Sequence, residues 1–345
     1  MSFRVWVTAI TLFLLTVIIF FAWDEIIEAW KLLGRTNLAI LLLVIPAQFA
    51  SYYATGGMIF SYLRSKGNLK DVNQWRMTRI ALELNFVNHV LPSGGAAGFS
   101  YLGWVLHRHG VGVGRATMSQ VVRFVLTFVA FLVALIISLI VLTIDHQVNR
   151  TVVLLSLGLA VMVVGTTIFA IYTLHYKKRL IKFAGFLTRR INGIVSFFRR
   201  GKKKVIERGV IEKFFEELHQ DYIEIRREKK LLKKPFIWSM VALAFDVVLL
   251  SIPFLALGYW VNPAVLLIAF GLSSIAGVAS FAPGGAGAFE AVMITFLATA
   301  GVPPDVAIAG TLLARVTLLL GTIISGYVFY HLTITAYGKH PVKRQ

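Results

Sequence analysis

The sequence predicts an all-α integral membrane protein of about six transmembrane helices plus two re-entrant helical hairpins arranged as an inverted repeat. Three observations predict it. Of 345 residues, 57% are hydrophobic and only 15% charged, mean hydropathy is +0.76, and several apolar runs are long enough to cross a bilayer. The stretch Leu91-Pro-Ser-Gly-Gly-Ala-Ala-Gly-Phe99 returns in altered form as Ala282-Pro-Gly-Gly-Ala-Gly-Ala-Phe289. Lysine and arginine, which carry the net charge of +19, are gathered into a few loops that fall on one side of the resulting topology.

In chain order, Val5 to Trp23 is a retained first span: one arginine precedes it and no small-residue cleavage site follows. Asp24 to Asn37 is slightly acidic and is expected outside. Leu38 to Leu63, a second span with Pro46 inside it, runs into a segment with Arg64, Lys66, Lys70, Arg76 and Arg79 that the positive-inside bias places in the cytoplasm. From there 80–106 forms the first hairpin. Neither Ile80 to Leu91 nor Gly98 to Leu106 can cross about 30 Å of hydrocarbon at 1.5 Å per residue. Arg108 and Arg115 return the chain to the basic side, so the hairpin turns at Pro92 to Gly95 and goes back where it came from. Ala116 to Thr143 and Thr151 to Leu174 complete the first half, residues 1–175.

Residues 176–235 change character, with nineteen Lys and Arg against seven Asp and Glu, a net of +12. Apolar residues recur there at helical spacing, first over Leu180 to Phe198 and then over Ile206 to Ile225. Two amphipathic helices lying apolar side down on the inner membrane face are expected. The second half, 236–345, crosses outward with Phe236 to Gly258, forms a second hairpin over 263–300, and ends with the span Val306 to Leu332. The loop Gly301-Val-Pro-Pro-Asp305 carries no positive charge, so this hairpin is expected to open outward, opposite to the first. Both termini then lie in the cytoplasm and every basic loop is inside.

The twinned motif is where chemistry is expected. Aligning Gly94 with Gly284 pairs Gly95 with Gly285 and Phe99 with Phe289, and each copy is followed by a lone arginine in an apolar run, Arg123 and Arg315. Proline and paired glycines break helices, and broken backbone at membrane depth is tolerated only inside protein or along a polar cavity. Paired interruptions in two halves point to a transporter's substrate site. Gly94, Gly95, Gly284, Gly285, Arg123, Arg315, Asn85, Asn88 and Glu290 are therefore the candidate substrate-binding residues. A charge near a helix centre needs a partner. Glu290 and Asp246 are placed to be arginine partners or proton carriers, while Glu83 and His89 are further proton-coupling candidates.

No catalytic motif appears: there is no Gly-x-Ser-x-Gly, no His-Glu-x-x-His, no Walker sequence and no cysteine, and Gly110-Val-Gly-Val-Gly114 lacks the strand-turn-helix context of a phosphate loop. No metal, cofactor or catalytic residue is expected. In a membrane protein the positive charge points to anionic headgroups at the inner face rather than to nucleic acid.

The Pro-Ser-Gly-Gly and Pro-Gly-Gly-Ala-Gly-Ala-Phe-Glu motifs with their downstream arginines resemble the lysylphosphatidylglycerol synthase transmembrane-region, or flippase-like, family over nearly the whole chain. The resemblance implies a flippase in the cell membrane moving an anionic phospholipid or a polyprenyl-phosphate-linked lipid, with a homodimer compatible as its assembly. In full-length bacterial members a soluble domain that transfers lysine from charged tRNA follows the membrane part. This chain runs only about a dozen residues past its last span, so transport is expected rather than transfer. The alternatives are a phosphatidylglycerol lysyltransferase-like lipid-modifying protein and an accessory scaffold for glycolipid synthesis.

Overall fold

A computed structural model describes residues 16, 23–90, 96–144, 150–175, 208–280, 285 and 287–337. The described residues form helices: α1 (Trp23–Leu33), α2 (Leu38–Leu41), α3 (Val44–Ser65), α4 (Gln74–Val90), α5 (Ala96–Arg108), α6 (Val113–Ile144), α7 (Arg150–His175), α8 (Arg208–Arg227), a 3-10 turn (Lys229–Leu232), α9 (Lys233–Ala256), α10 (Pro263–Ala279), α11 (Ala288–Thr299) and α12 (Pro304–Tyr337). Five stretches, Leu38–Ser65, Val113–Ile144, Arg150–Phe169, Lys229–Ala256 and Pro304–Thr333, are long and apolar enough to cross a membrane, and the protein is a multi-pass membrane protein. Most of the sixth expected span, Val5 to Trp23, lies outside the described residues.

Local chemistry explains the boundaries. Pro46 has no amide to donate to Leu42, and the helix is interrupted between α2 and α3 just before it. The side chain of Asn37 caps α2 by accepting from the amides of Ala39 and Ile40 at 3.1 and 3.3 Å. The first hairpin starts earlier than its apolar run suggests. Asn73 Oδ1 accepts from the Arg76 amide at 2.9 Å and starts α4 at Gln74, six residues before Ile80. At 17 residues each, α4 and α10 are about 25 Å long, still short of a full crossing.

The helices pair in a pattern that is nearly unchanged when the halves are exchanged. Within each half the hairpin's second helix packs on the following long helix, α5 on α6 and α11 on α12. Between halves the first helix of each hairpin packs on the other half's long helix, α4 on α12 and α10 on α6, while α3 packs along α9. α3 also packs on α4, and Gly56 permits that approach, since a Cβ there would lie 2.9 Å from the Met77 backbone.

One amphipathic helix of the basic segment is formed, as α8, but it does not present its apolar side to lipid alone. Tyr222 and Ile225 pack into the core built by α3 to α6, and Asp221 is buried beside them. Lys66 Nζ meets Glu224 Oε2 at 2.6 Å and Arg115 Nη2 meets Asp221 Oδ1 at 3.7 Å, tying α8 to the start of α6 and the residue after α3. Its C-terminal part, at Tyr222 and Ile225, docks on protein. The expected partner helix over Leu180 to Phe198 lies outside the described residues.

Candidate functional site

A cavity of about 140 Å³ lies where both hairpins meet the last long helix. His89 reaches it from α4, Phe270 from α10, Phe289 and Met293 from α11, and Thr311 and Arg315 from α12. Thr311 and Arg315 are four residues apart, so one helical face presents a hydroxyl and a guanidinium one above the other.

Arg315 Nε is 2.7 Å from Glu290 Oε1, with side-chain exposures of 18% and 6%, so this pair is largely withdrawn from solvent. The guanidinium also lies over the ring of Phe289 at 5.0 Å, and that ring meets Phe270 edge-on at 6.4 Å. The phenylalanine of the second motif thus supports the arginine that follows it. Both carboxylate oxygens of Glu290 and Thr311 Oγ1 are buried with no aligned hydrogen bond among the described residues, so the Arg315 contact with Oε1 is an ion pair by distance alone. Unpaired buried polar atoms are costly unless a ligand or water meets them. His89 Nδ1 is 2.9 Å from the Asn85 carbonyl; since a carbonyl only accepts, Nδ1 carries a proton and Nε2 is the ring's remaining site.

A second polar cluster adjoins the cavity wall. Gln48 Nε2 donates to the carbonyl of Leu318, a wall residue, at 3.1 Å, and to Thr322 Oγ1 at 3.0 Å and Tyr52 Oη at 3.2 Å. Tyr52 and Thr322 hydroxyls are 2.8 Å apart, and Asn85 faces Tyr52. Next to them Ser51 Oγ donates to Asp246 Oδ1 at 2.7 Å. Asp246 therefore pairs with a hydroxyl, and Arg315 takes Glu290 in its place.

The halves differ at the charged positions. Ser100 occupies the place in the first motif that Glu290 holds in the second. Arg123 lies over Phe124 at 4.4 Å, its Nε has no hydrogen-bond partner among the described residues, and it does not line the cavity. Of the two motif arginines, Arg315 lines the cavity and Arg123 does not. Glu83 is fully buried and saturated. It accepts from Arg79 Nε at 2.9 Å, from Tyr101 Oη at 2.6 Å and from Thr333 Oγ1, joining α4, α5 and α12. Asn88 Oδ1 accepts from the Gly98 amide at 3.1 Å and so closes the first hairpin.

Gly285 has φ +74°, and a Cβ on it would lie 2.7 Å from Cα of Gly277, so it serves the close return of the second hairpin. The half-helix begins after it, with Gly287 at the N-cap. Gly94, Gly95 and Gly284 lie outside the described residues. Sequence reasoning missed Thr311, Gln48 and Tyr52. Gln48 was detectable as an amide in an apolar run, where polar residues mark contacts between helices; Thr311, a common residue in such runs, was detectable only by its spacing from Arg315.

Among the described residues no group of His, Asp and Glu is arranged to hold a metal ion. The fold and this interior cavity define a multi-pass helical membrane protein with a charged, partly unsatisfied site between two interrupted helical units. The family model for the lysylphosphatidylglycerol synthase TM region matches residues 6–326, and the chain belongs to that family. It is similar to a UPF0104 membrane protein of Methanocaldococcus jannaschii, 26% identical over 323 residues covering 92% of this chain and 90% of the relative. A UPF0104 membrane protein of Methanothermobacter thermautotrophicus is 23% identical over 250 residues, 71% of each chain.

Proposed function

We propose that the protein is a flippase that moves an anionic-headgroup lipid, a phospholipid or a polyprenyl-phosphate-linked lipid, across the cell membrane. The observation that carries this reading is the cavity lined by Arg315, Thr311 and His89, with Glu290 paired to Arg315 behind it, which draws its walls from both halves of the chain. A guanidinium with a buried hydroxyl one turn away suits a phosphate oxygen. The volume, about 140 Å³, is that of roughly four or five waters, so it admits a phosphate-sized part of a headgroup while acyl chains stay in the bilayer. The family is named for a synthase of lysylphosphatidylglycerol, a lipid with a phosphodiester in its headgroup, and a phosphodiester is the group Arg315 would meet.

Alternating access follows from two inverted halves, 1–175 and 236–345, joined by the basic segment 176–235. In this topology both termini are cytoplasmic and the hairpins open to opposite faces. Exposed tryptophans support the placement: Trp75 stands at the start of the first hairpin and Trp260 just before the second, where aromatic side chains favour the interface. Anionic headgroups at the inner face would meet the basic segment.

The test is lipid bound through purification. Mass spectrometry of the extracted protein should show phosphate-bearing anionic lipids enriched over their share of the membrane, and Arg315→Gln should lose that enrichment while remaining monodisperse. Recovery of membrane lipids in their bulk proportions by wild type would refute the assignment.

A further inference from the structure

Arg315, which lines the cavity, already has an anion in contact with it, Glu290, which stands behind the lining, and the pair together is neutral. This has a consequence for any anion that arrives. A phosphate drawn to Arg315 would meet the Glu290 carboxylate at hydrogen-bond distance from the same guanidinium, inside walls of Phe270, Phe289 and Met293 that screen charge poorly. Two anions and one cation would leave the site with an uncompensated negative charge. Protonating the carboxylate removes that charge and converts Glu290 from an acceptor into a donor. Its Oε2 is buried and without a hydrogen-bond partner among the described residues, and with Oε1 against Arg315 it is the oxygen to carry the proton.

We infer that binding of a phosphodiester headgroup beside Arg315 is coupled to uptake of one proton by Glu290, the phosphate replacing the carboxylate as the arginine's partner. The inference rests on the lipid-binding reading and adds its regulation: the site fills as a neutral unit, and a proton enters with each headgroup. The proton comes from solvent and forms one O–H bond on Glu290; no other bond changes.

The other titratable groups around Glu290 are few. On α12 there is Arg315, and on α4 His89, whose Nδ1 is engaged by Asn85. α10 has no titratable residue and α11 none besides Glu290, while α7, which also packs on α11, has them only at Arg150, Tyr172 and His175 toward its ends. α9 lines the cavity with Leu250 and carries Asp246 one turn away, bonded to Ser51. His89 is therefore the rival proton acceptor within the cavity.

Calorimetric titration of the full chain in detergent, run in two buffers of different ionisation enthalpy, counts protons taken up on binding. The probe is dioctanoyl phosphatidylglycerol, whose phosphodiester stays singly charged between about pH 5 and pH 9; dimethyl phosphate is the free-anion arm. Wild type should take up close to one proton on the alkaline side of the range, with apparent affinity falling about tenfold per pH unit there. Glu290→Gln should bind without proton uptake and without pH dependence, at least as tightly as wild type in acid, and His89→Gln should keep the uptake. Should Glu290→Gln not purify as folded protein, uptake in wild type that survives His89→Gln still supports the coupling. If dimethyl phosphate binds with the same proton count and the lipid does not, the coupling holds and the ligand is a free phosphodiester. Arg315-dependent binding with no proton uptake, or uptake that persists in Glu290→Gln and vanishes in His89→Gln, overturns the coupling alone. Absence of binding by either probe to wild type and to Glu290→Gln at every pH overturns the lipid site together with it.

Discussion

Gly285 sits with φ +74° against the backbone of Gly277, whereas Gly103 on α5 has open space where a Cβ would go. The same substitution should act oppositely at the two positions. Gly285→Ala forces a side chain into left-handed backbone and into a neighbouring chain, costing about 1–3 kcal/mol. Gly103→Ala should be neutral or stabilising by up to about 1 kcal/mol, because alanine favours the helix. Thermal unfolding followed by size-exclusion fluorescence compares them, and equal melting points would contradict the described turn. Residue identity alone also left the charged pairs ambiguous: Arg123 and Arg315 follow their motifs at similar spacing, yet among the described residues only Arg315 has a carboxylate beside it. The motif already differs there, Ser100 against Glu290, and that single exchange is what separates a paired arginine from one resting on its neighbour's ring.

At the scale of elements, α8 shows a contact that its sequence did not announce: Tyr222 and Ile225 pack on the protein core. Its 3.6-residue apolar period is the same whether the stripe meets lipid or protein, so periodicity could predict the helix but not its partner. The ion pairs at its docked face, Lys66 with Glu224 and Arg115 with Asp221, join residues far apart in sequence and had no local signature. Burial pushes the Asp221 carboxyl above its ordinary value, with Arg115 and Lys66 offsetting only part of the shift. The sign follows: the docked state holds the proton more tightly than the free helix, so docking is strongest in acid and weakens as pH rises through the raised value. Asp221→Asn should therefore slow tryptic cleavage between Lys229 and Lys234 at neutral pH and change little in acid. Faster cleavage at neutral pH would mean that attraction to Arg115 outweighs burial. The interrupted helices themselves were legible, because proline and glycine act locally; the start of α4 was misplaced by six residues because a polar cap, Asn73, begins it before its apolar run.

For the molecule as a whole, the exchange of hairpins between halves, α4 onto α12 and α10 onto α6, puts His89 and Arg315 at one cavity although 226 positions separate them. Sequence could nominate both but could not bring them together, since that depends on which long helix each hairpin meets. The inverted topology proposed for this arrangement makes a direct forecast: Ser65→Cys, at the end of α3, reacts with an impermeant maleimide only when the inner face is opened, and Pro304→Cys, at the start of α12, reacts from outside. The same sidedness for both would exclude it.

The central claim is that Arg315 grips the headgroup of a lipid in transit, and transport itself tests it. In proteoliposomes carrying a labelled anionic lipid, with rates normalised to monodisperse protein, Arg315→Lys should slow translocation by about tenfold or more through loss of the planar fork, and Arg315→Ala should slow it further. Arg123→Ala, away from the cavity, should have the smaller effect, and a neutral lipid should move at the rate of empty liposomes throughout. Full normalised transport by Arg315→Ala would contradict the account.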